Sequence, residues 1–249
     1  MPYDTDWLDF SDVPFAGIPT PLEVVLRARG CGPEGSLARN QLAELYQGAV
    51  VLMILAMVKS AEEARDLSQG FMILFLEGSL FTKYEQTKGS FRTWLKVWIR
   101  TYVRTERDKE RVRRTKSLEG YDVADEREEP GDGVLDSRLT EFLVTKAREN
   151  TVRSLGEDSL AWKVLDYWSF QRDLDVIVTQ PQAGEAMGLG RNAFLGALRT
   201  GRYRLKQELT KLISSGVSTE EQFAEEVAQI RADLDLEMYR KWSGKRGGA

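Results

Sequence analysis

Residues 89–116 read GSFRTWLKVWIRTYVRTERDKERVRRTK, and their spacing sorts the side chains into two sets. At 3.6 residues per turn, Phe91, Trp94, Leu95, Trp98, Ile99 and Tyr102 share one side of a helix. Arg92, Lys96, Arg100, Arg104, Arg107, Arg111 and Arg114 share the side roughly opposite, with Lys88 just ahead of them. The chemistry open to such a row is non-covalent. Each cation set against a phosphate releases a condensed counterion, so the row binds a polyanion with an affinity that falls as salt rises. The chain carries a formal net charge of -4, so the stripe is a local basic site on an acidic protein, and nucleic acid is the first polyanion it fits. The ring-bearing side has to be buried, which assigns contact with DNA to the cations and the rings to a core. The competing expectation is a solvated face in which Arg107 and Arg111 pair with Glu106 and Glu110.

Composition removes most covalent chemistry. There is no histidine among the 249 residues, which excludes imidazole acid–base catalysis, Ser-His-Asp and Cys-His nucleophiles, and imidazole metal sites. Cys31 is the single cysteine, which excludes disulfide frameworks and thiolate zinc sites. The carboxylates Glu220, Glu221, Glu225 and Glu226 read as the solvated start of a helix. No enzyme is expected, and no cofactor.

A second motif stands apart from the first. Residues 180–199, QPQAGEAMGLGRNAFLGALR, fit a helix-turn-helix template. That motif needs a small residue where two helices cross, a glycine in the turn, and apolar residues at fixed offsets. Gly184 takes the small site and Gly188 the turn, while Ala183, Met187, Leu189, Phe194 and Ala197 fill the apolar offsets. The recognition helix is predicted to start near Arg191 and Asn192, with Arg199, Arg202, Arg204 and Lys206 following. Gly196 and Gly201 count against it, at about 1 kcal/mol each relative to alanine.

The elements that must hold these residues are helical throughout, since strand signals are weak. Residues 1–19 are an acidic leader. Thr20-Pro21-Leu22-Glu23 is a capping box that opens a helix ended by Gly30, and a longer helix is predicted from about Leu37 to Lys59. Ser60-Ala61-Glu62-Glu63 opens a third, running to Glu77 before Gly78. Residues 83–90 form a polar loop. Residues 117–136 turn acidic, with Pro130, Gly131 and Gly133, and are the expected linker. Helices resume from about Arg138 to Leu155 and from Ser159 to about Leu174, followed by a helical unit over residues 180–213. Ser218-Thr219-Glu220-Glu221 opens an amphipathic helix carrying Phe223, Val227, Ile230, Leu234 and Met238. The longest apolar run, residues 49–58, is shorter than the roughly 20 residues a bilayer requires. The first residues lack the basic start and apolar core of a signal peptide. No membrane insertion is expected, and the chain is expected in the cytoplasm.

Taken together, an aromatic and basic helix closing one helical domain and a helix-turn-helix behind an acidic linker resemble the extracytoplasmic-function (ECF) sigma factors. These are the small subunits that direct bacterial RNA polymerase to promoters. SAEEARDLSQGFMILFLEGSL (residues 60–80) is similar to the family's region 2.2, KGSFRTWLKVWIRTYVRTERDKERVRR (88–114) to regions 2.3 and 2.4, and QPQAGEAMGLGRNAFLGALRTGRYRLKQEL (180–209) to region 4.

The resemblance implies an all-α fold in parts. These are a leader (1–19), a region 2-like domain (20–116), a linker (117–136), a region 4-like domain (137–215) and a C-terminal helical extension (216–249). It implies that Asp66 and Gln69 dock on core RNA polymerase, and that the loop at 83–90 captures a flipped base of the minus-ten element. By the same resemblance Lys88, Arg92, Lys96, Arg100, Arg104, Arg107, Arg111 and Arg114 hold the melted strand. Arg191, Asn192, Arg199, Arg202 and Arg204 would meet the minus-thirty-five element of promoter DNA. An anti-sigma inhibitor protein is a further implied partner. Gly70 stands where many members carry glutamate. The alternatives are a helix-turn-helix regulator acting without polymerase, and a sigma-like module for protein interaction.

Overall fold

The structure, a computed structural model, describes residues 22–117, 131–171, 179–217 and 219–244. The described residues are all-helical, without a strand, as the hydropathy pattern requires. In chain order the helices are α1 (Leu22–Ala28), α2 (Pro33–Met57), α3 (Ala61–Glu77), α4 (Phe91–Ser117), α5 (Asp132–Leu155), α6 (Leu160–Asp166), α7 (Gln180–Ala186), α8 (Arg191–Ser214) and α9 (Glu220–Gly244). Two short 3-10 turns, Phe81–Lys83 and Gln86–Lys88, fill the expected polar loop, and a π turn, Tyr167–Gln171, extends α6.

Contacts divide the chain into two compact units. Among the described residues the first comprises 22–142 with Ser214–Phe223; the second comprises Leu143–Ile213 with Ala224–Gly244. In the first, α2 is the central helix, with Leu42, Tyr46, Ala49, Val50, Met53 and Ile54 buried. It starts at Pro33, four residues before the expected Leu37, because proline at the first helical position has no N–H to lose. By length and composition α2 would pass as a membrane span. Burial of that row is what a core helix of a soluble protein shows, and the structure is compatible with one. The start of α3 follows its sequence signal: the Ser60 hydroxyl accepts the Glu63 N–H at 3.0 Å. Arg39 ties helix ends together, donating to the carbonyls of Ala28 and Gly30 (both 2.9 Å) and of Leu76 (2.7 Å). Carbonyls left over at helix C-termini are thereby satisfied.

In the second unit, Leu143, Ala147, Val164, Leu165, Trp168, Phe194, Leu198, Leu205 and Leu209 are buried, with Trp168 edge-on to Phe194 at 5.9 Å. Arg148 on α5 pairs with Asp166 on α6 at 2.6 Å. Helix α5 begins at Asp132 rather than near Arg138, since Leu135 and Leu139 extend the buried i, i+4 row one turn upstream. The acidic residues 118–130 and the leader lie outside the described residues, as do 172–178, where the helix from Ser159 was expected to end. The Thr219 hydroxyl accepts the Gln222 N–H at 3.2 Å at the start of α9, and Phe223, Val227 and Ile230 are buried along it. Leu234 is half-buried. The Met238 side chain lies outside the described residues.

Candidate nucleic-acid interface

Helix α4 starts from a well-made cap. The Ser90 hydroxyl accepts the Thr93 N–H at 3.2 Å, and the Gly216 carbonyl accepts the Phe91 N–H at 3.0 Å. Phe91, Leu95, Ile99 and Val103, spaced i, i+4, are its fully buried row. Phe91 meets Tyr46 edge-on at 5.2 Å and stacks with Trp94 at 5.2 Å, and Trp94 reaches Phe81 and Tyr84, both at 5.7 Å. The rings form a cluster as expected, but Trp94, Trp98 and Tyr102 are only half-buried. The Lys83 ammonium sits over the Trp98 ring at 4.8 Å, a cation–π contact of the kind worth about 0.5–1 kcal/mol at a wet site. Burial raises the Tyr84 phenol above its ordinary pKa, opposed by Arg29. Burial and then the Glu106 charge raise that of Tyr102.

The structure divides the basic stripe. Arg92 is 0% exposed, so it is corrected from a strand-contacting residue to a core residue. The cause is register: Arg92, Leu95, Ile99 and Val103 fall at i, i+3, i+7 and i+11, which puts the arginine stem in the buried row. A Cβ added at Gly216 would come within 3.0–3.1 Å of the Arg92 side chain and 3.0 Å of the Tyr46 hydroxyl, so the two side chains lie hard against that glycine. Lys96 is half-buried and paired with Asp136 of α5. Arg107 is half-buried, 3.6 Å from the Glu63 carboxylate, and donates to the Met57 carbonyl. Arg100 is half-buried, whereas Arg104 and Arg111 are exposed. Lys88 is exposed and pairs with Glu85 at 2.8 Å. Arg114 lies on α4, with its side chain outside the described residues.

Within the helix Glu106 takes Lys109 at 2.7 Å and Glu110 takes Arg113 at 4.0 Å, while Arg107 is turned to Glu63. Exposed pairs of this kind contribute about 0–1 kcal/mol.

The α7–α8 corner has the geometry that its sequence predicts. The Thr179 N–H donates to the Gln182 side chain at 2.9 Å, and Pro181 lies in the first turn. A Cβ at Gly184 would stand 3.1 Å from the Leu189 carbonyl and 3.3 Å from the Phe194 Cβ, so the crossing needs a small residue there. Gly188 turns the chain at φ +67°, which side chains with a Cβ rarely adopt. Ala183, Phe194 and Ala197 are buried beneath, and Arg191, Asn192 and Arg199 are exposed at the start of α8. Arg204 is turned to other work, donating to the Ser154 hydroxyl at 2.7 Å and to the Gln207 side chain at 2.9 Å. Arg202 is half-buried. It lines a groove of about 360 Å³ with Gln180, Leu195, Leu198, Arg199, Tyr203 and Lys206, a concavity that helical spacing does not announce.

On α3, Asp66 and Gln69 are exposed on one face. Ile73 (58% exposed) and Leu76 (40%) continue that face at i+7 and i+10 from Asp66. The spacing of these two was readable in the sequence, but exposed and buried apolar stripes look alike until the helix is packed. Gly70 has a structural reason: a Cβ there would meet the Tyr102 hydroxyl at 2.2 Å. No protein-family model matches the chain, and no curated protein matches it.

Proposed function

We propose that this chain is a transcription initiation factor of the ECF sigma type, one that binds core RNA polymerase and directs promoter recognition and melting. The observation that carries the reading is the α7–α8 corner, a glycine-turned helix pair with Arg191, Asn192 and Arg199 exposed at the head of the second helix. A helix N-terminus rich in hydrogen-bonding side chains suits base edges in a major groove. Of the stripe on α4, Arg104 and Arg111 are exposed and Arg100 half-buried, while Lys96 and Arg107 pair with Asp136 and Glu63. On α3 the stripe Asp66, Gln69, Ile73 and Leu76 offers polymerase a mixed apolar and polar surface of the kind that protein interfaces use.

A second reading, a sigma-like module for protein interaction, draws on one observation: Arg92, Lys96 and Arg107 are withdrawn from the stripe, which leaves fewer cations for a strand than the spacing promised.

Run-off transcription with purified core polymerase over a promoter library separates the two. The initiation factor yields promoter-specific transcripts, and Arg104→Glu with Arg111→Glu abolishes open-complex formation while core binding persists. Absence of any promoter-specific transcript, with core binding retained, selects the interaction module.

A further inference from the structure

Lys96 belongs to the stripe by its spacing and is withheld from it by a charge. Lys96, Arg100, Arg104, Arg107 and Arg111 fall at i, i+4, i+8, i+11 and i+15, one continuous face of α4. The Lys96 ammonium is nevertheless paired with the Asp136 carboxylate, 40 residues further on, in the first turns of α5. The Lys96 side chain keeps 22% of its surface in solvent and that of Asp136 16%, so the pair lies at the rim of the packing and is not sealed inside it. The start of α5 is anchored by other contacts. Leu135 and Leu139 are buried, and the Phe142 ring lies so close to Gly48 of α2 that a Cβ there would come within 2.6 Å of it. The neighbouring acid, Glu141, is taken by Arg138 of its own helix at 2.7 Å.

We infer that Asp136 is an autoinhibitory stand-in for a phosphate: it holds Lys96 and so removes one cation from the face that α4 offers to single-stranded nucleic acid. This deepens the function proposed above and rests on it for the identity of the polyanion. A carboxylate positioned by the packing of its own helix acts at a high effective concentration. A strand phosphate reaches Lys96 only by displacing that carboxylate, and a cation already neutralised within the protein has no condensed counterion to exchange. The chain therefore binds a single strand with one phosphate contact fewer than the spacing of the stripe allows, and loss of the Asp136 charge restores that contact.

The test uses the full chain and a fluorescein-labelled oligothymidylate, with anisotropy followed across a salt series. Asp136→Asn should tighten binding about fivefold at low salt and steepen the slope of log affinity against log salt by about 0.7, the increment for one more phosphate on a single strand. Asp136→Ser should do the same with a smaller side chain, so a packing defect peculiar to asparagine is not mistaken for the effect, and helical circular dichroism checks both folds. Asp136→Glu, which keeps the charge, should keep the parental slope. Asp136→Asn combined with Lys96→Gln should return to it. A pair that only braced the fold would move stability and leave the slope alone. An unchanged slope in Asp136→Asn and Asp136→Ser, no binding by either, an equal rise with Asp136→Glu, or a rise that survives Lys96→Gln would each overturn the inference. No polymerase or promoter sequence enters the measurement, so its failure is distinguishable from failure of the run-off assay.

Discussion

Two glycines of α8 show how little a residue's identity says without its surroundings. Both cost the helix intrinsic stability, yet a Cβ at Gly196 would meet nothing within 4 Å. One at Gly201 would meet the Ala161 carbonyl at 2.6 Å and the Leu165 Cβ at 2.8 Å. Gly196→Ala is therefore expected to stabilise the fold by about 1 kcal/mol. Gly201→Ala should destabilise it by about 1–2 kcal/mol, since overpacking against a backbone carbonyl outweighs the propensity gain. Urea denaturation of the two variants reads both signs, and equal signs would show that α6 and α8 do not pack this closely. Tyr84 and Tyr102 give a second expectation at this scale. Both phenols have folded pKa values raised above the ordinary tyrosine value of about 10. Their contribution to stability is thus whole below that pH and lost as pH rises through the folded values, because the unfolded chain releases those protons first. Urea midpoints should drop from about pH 9 to about pH 11, and drop less in the Tyr84→Phe, Tyr102→Phe variant. An identical loss in that variant would remove the two phenols as its cause.

At the scale of the element, α4 does two jobs with one set of arginines. Its buried row includes Arg92, its flanks include Lys96 and Arg107 bound to neighbouring helices, and its far end carries Arg104 and Arg111 in solvent. Truncation should sort these groups. Arg92→Ala removes a fully buried side chain that lies against Gly216 and is expected to cost about 2–4 kcal/mol. Arg104→Ala, on the exposed side, should fall within about 0.5 kcal/mol of the parent. Thermal or urea unfolding of the pair decides it. Similar stabilities would mean that Arg92 is not the core residue its burial makes it. Close approach also explains why Gly70 is kept small: packing of α3 on α4 leaves the Tyr102 hydroxyl where a Cβ would be.

For the whole molecule, the proposed function makes binding a matter of counted phosphates. With polymerase present, affinity for a single-stranded minus-ten oligonucleotide should fall linearly with log salt. Replacing Arg104 and Arg111 by glutamine should reduce that slope by about 0.7 for each phosphate no longer neutralised. Fluorescence anisotropy across a salt series measures it. An unchanged slope would mean that the strand does not run along this flank of α4.

Much of this protein was written in the residues themselves. Local signals suffice where the interaction that sets the structure is itself local. Ser60 and Thr219 cap helices with their own hydroxyls, Gly78 ends α3 at φ +85°, and Gly184 with Gly188 makes the α7–α8 corner through neighbours a few residues apart. The absence of histidine likewise ruled out imidazole chemistry from composition alone. Helical spacing, by contrast, told only that α4 has an apolar side and a basic side. It could not draw the line between them, because a long arginine can be either stem-buried or solvent-facing at the same angle. Packing drew that line: Arg92 belongs to the row of Leu95 and Ile99, Lys96 meets Asp136 forty residues away, and Arg107 reaches Glu63 and the end of α2. The groove beside Tyr203 arose in the same way, since a concave surface exists only once two helices have met.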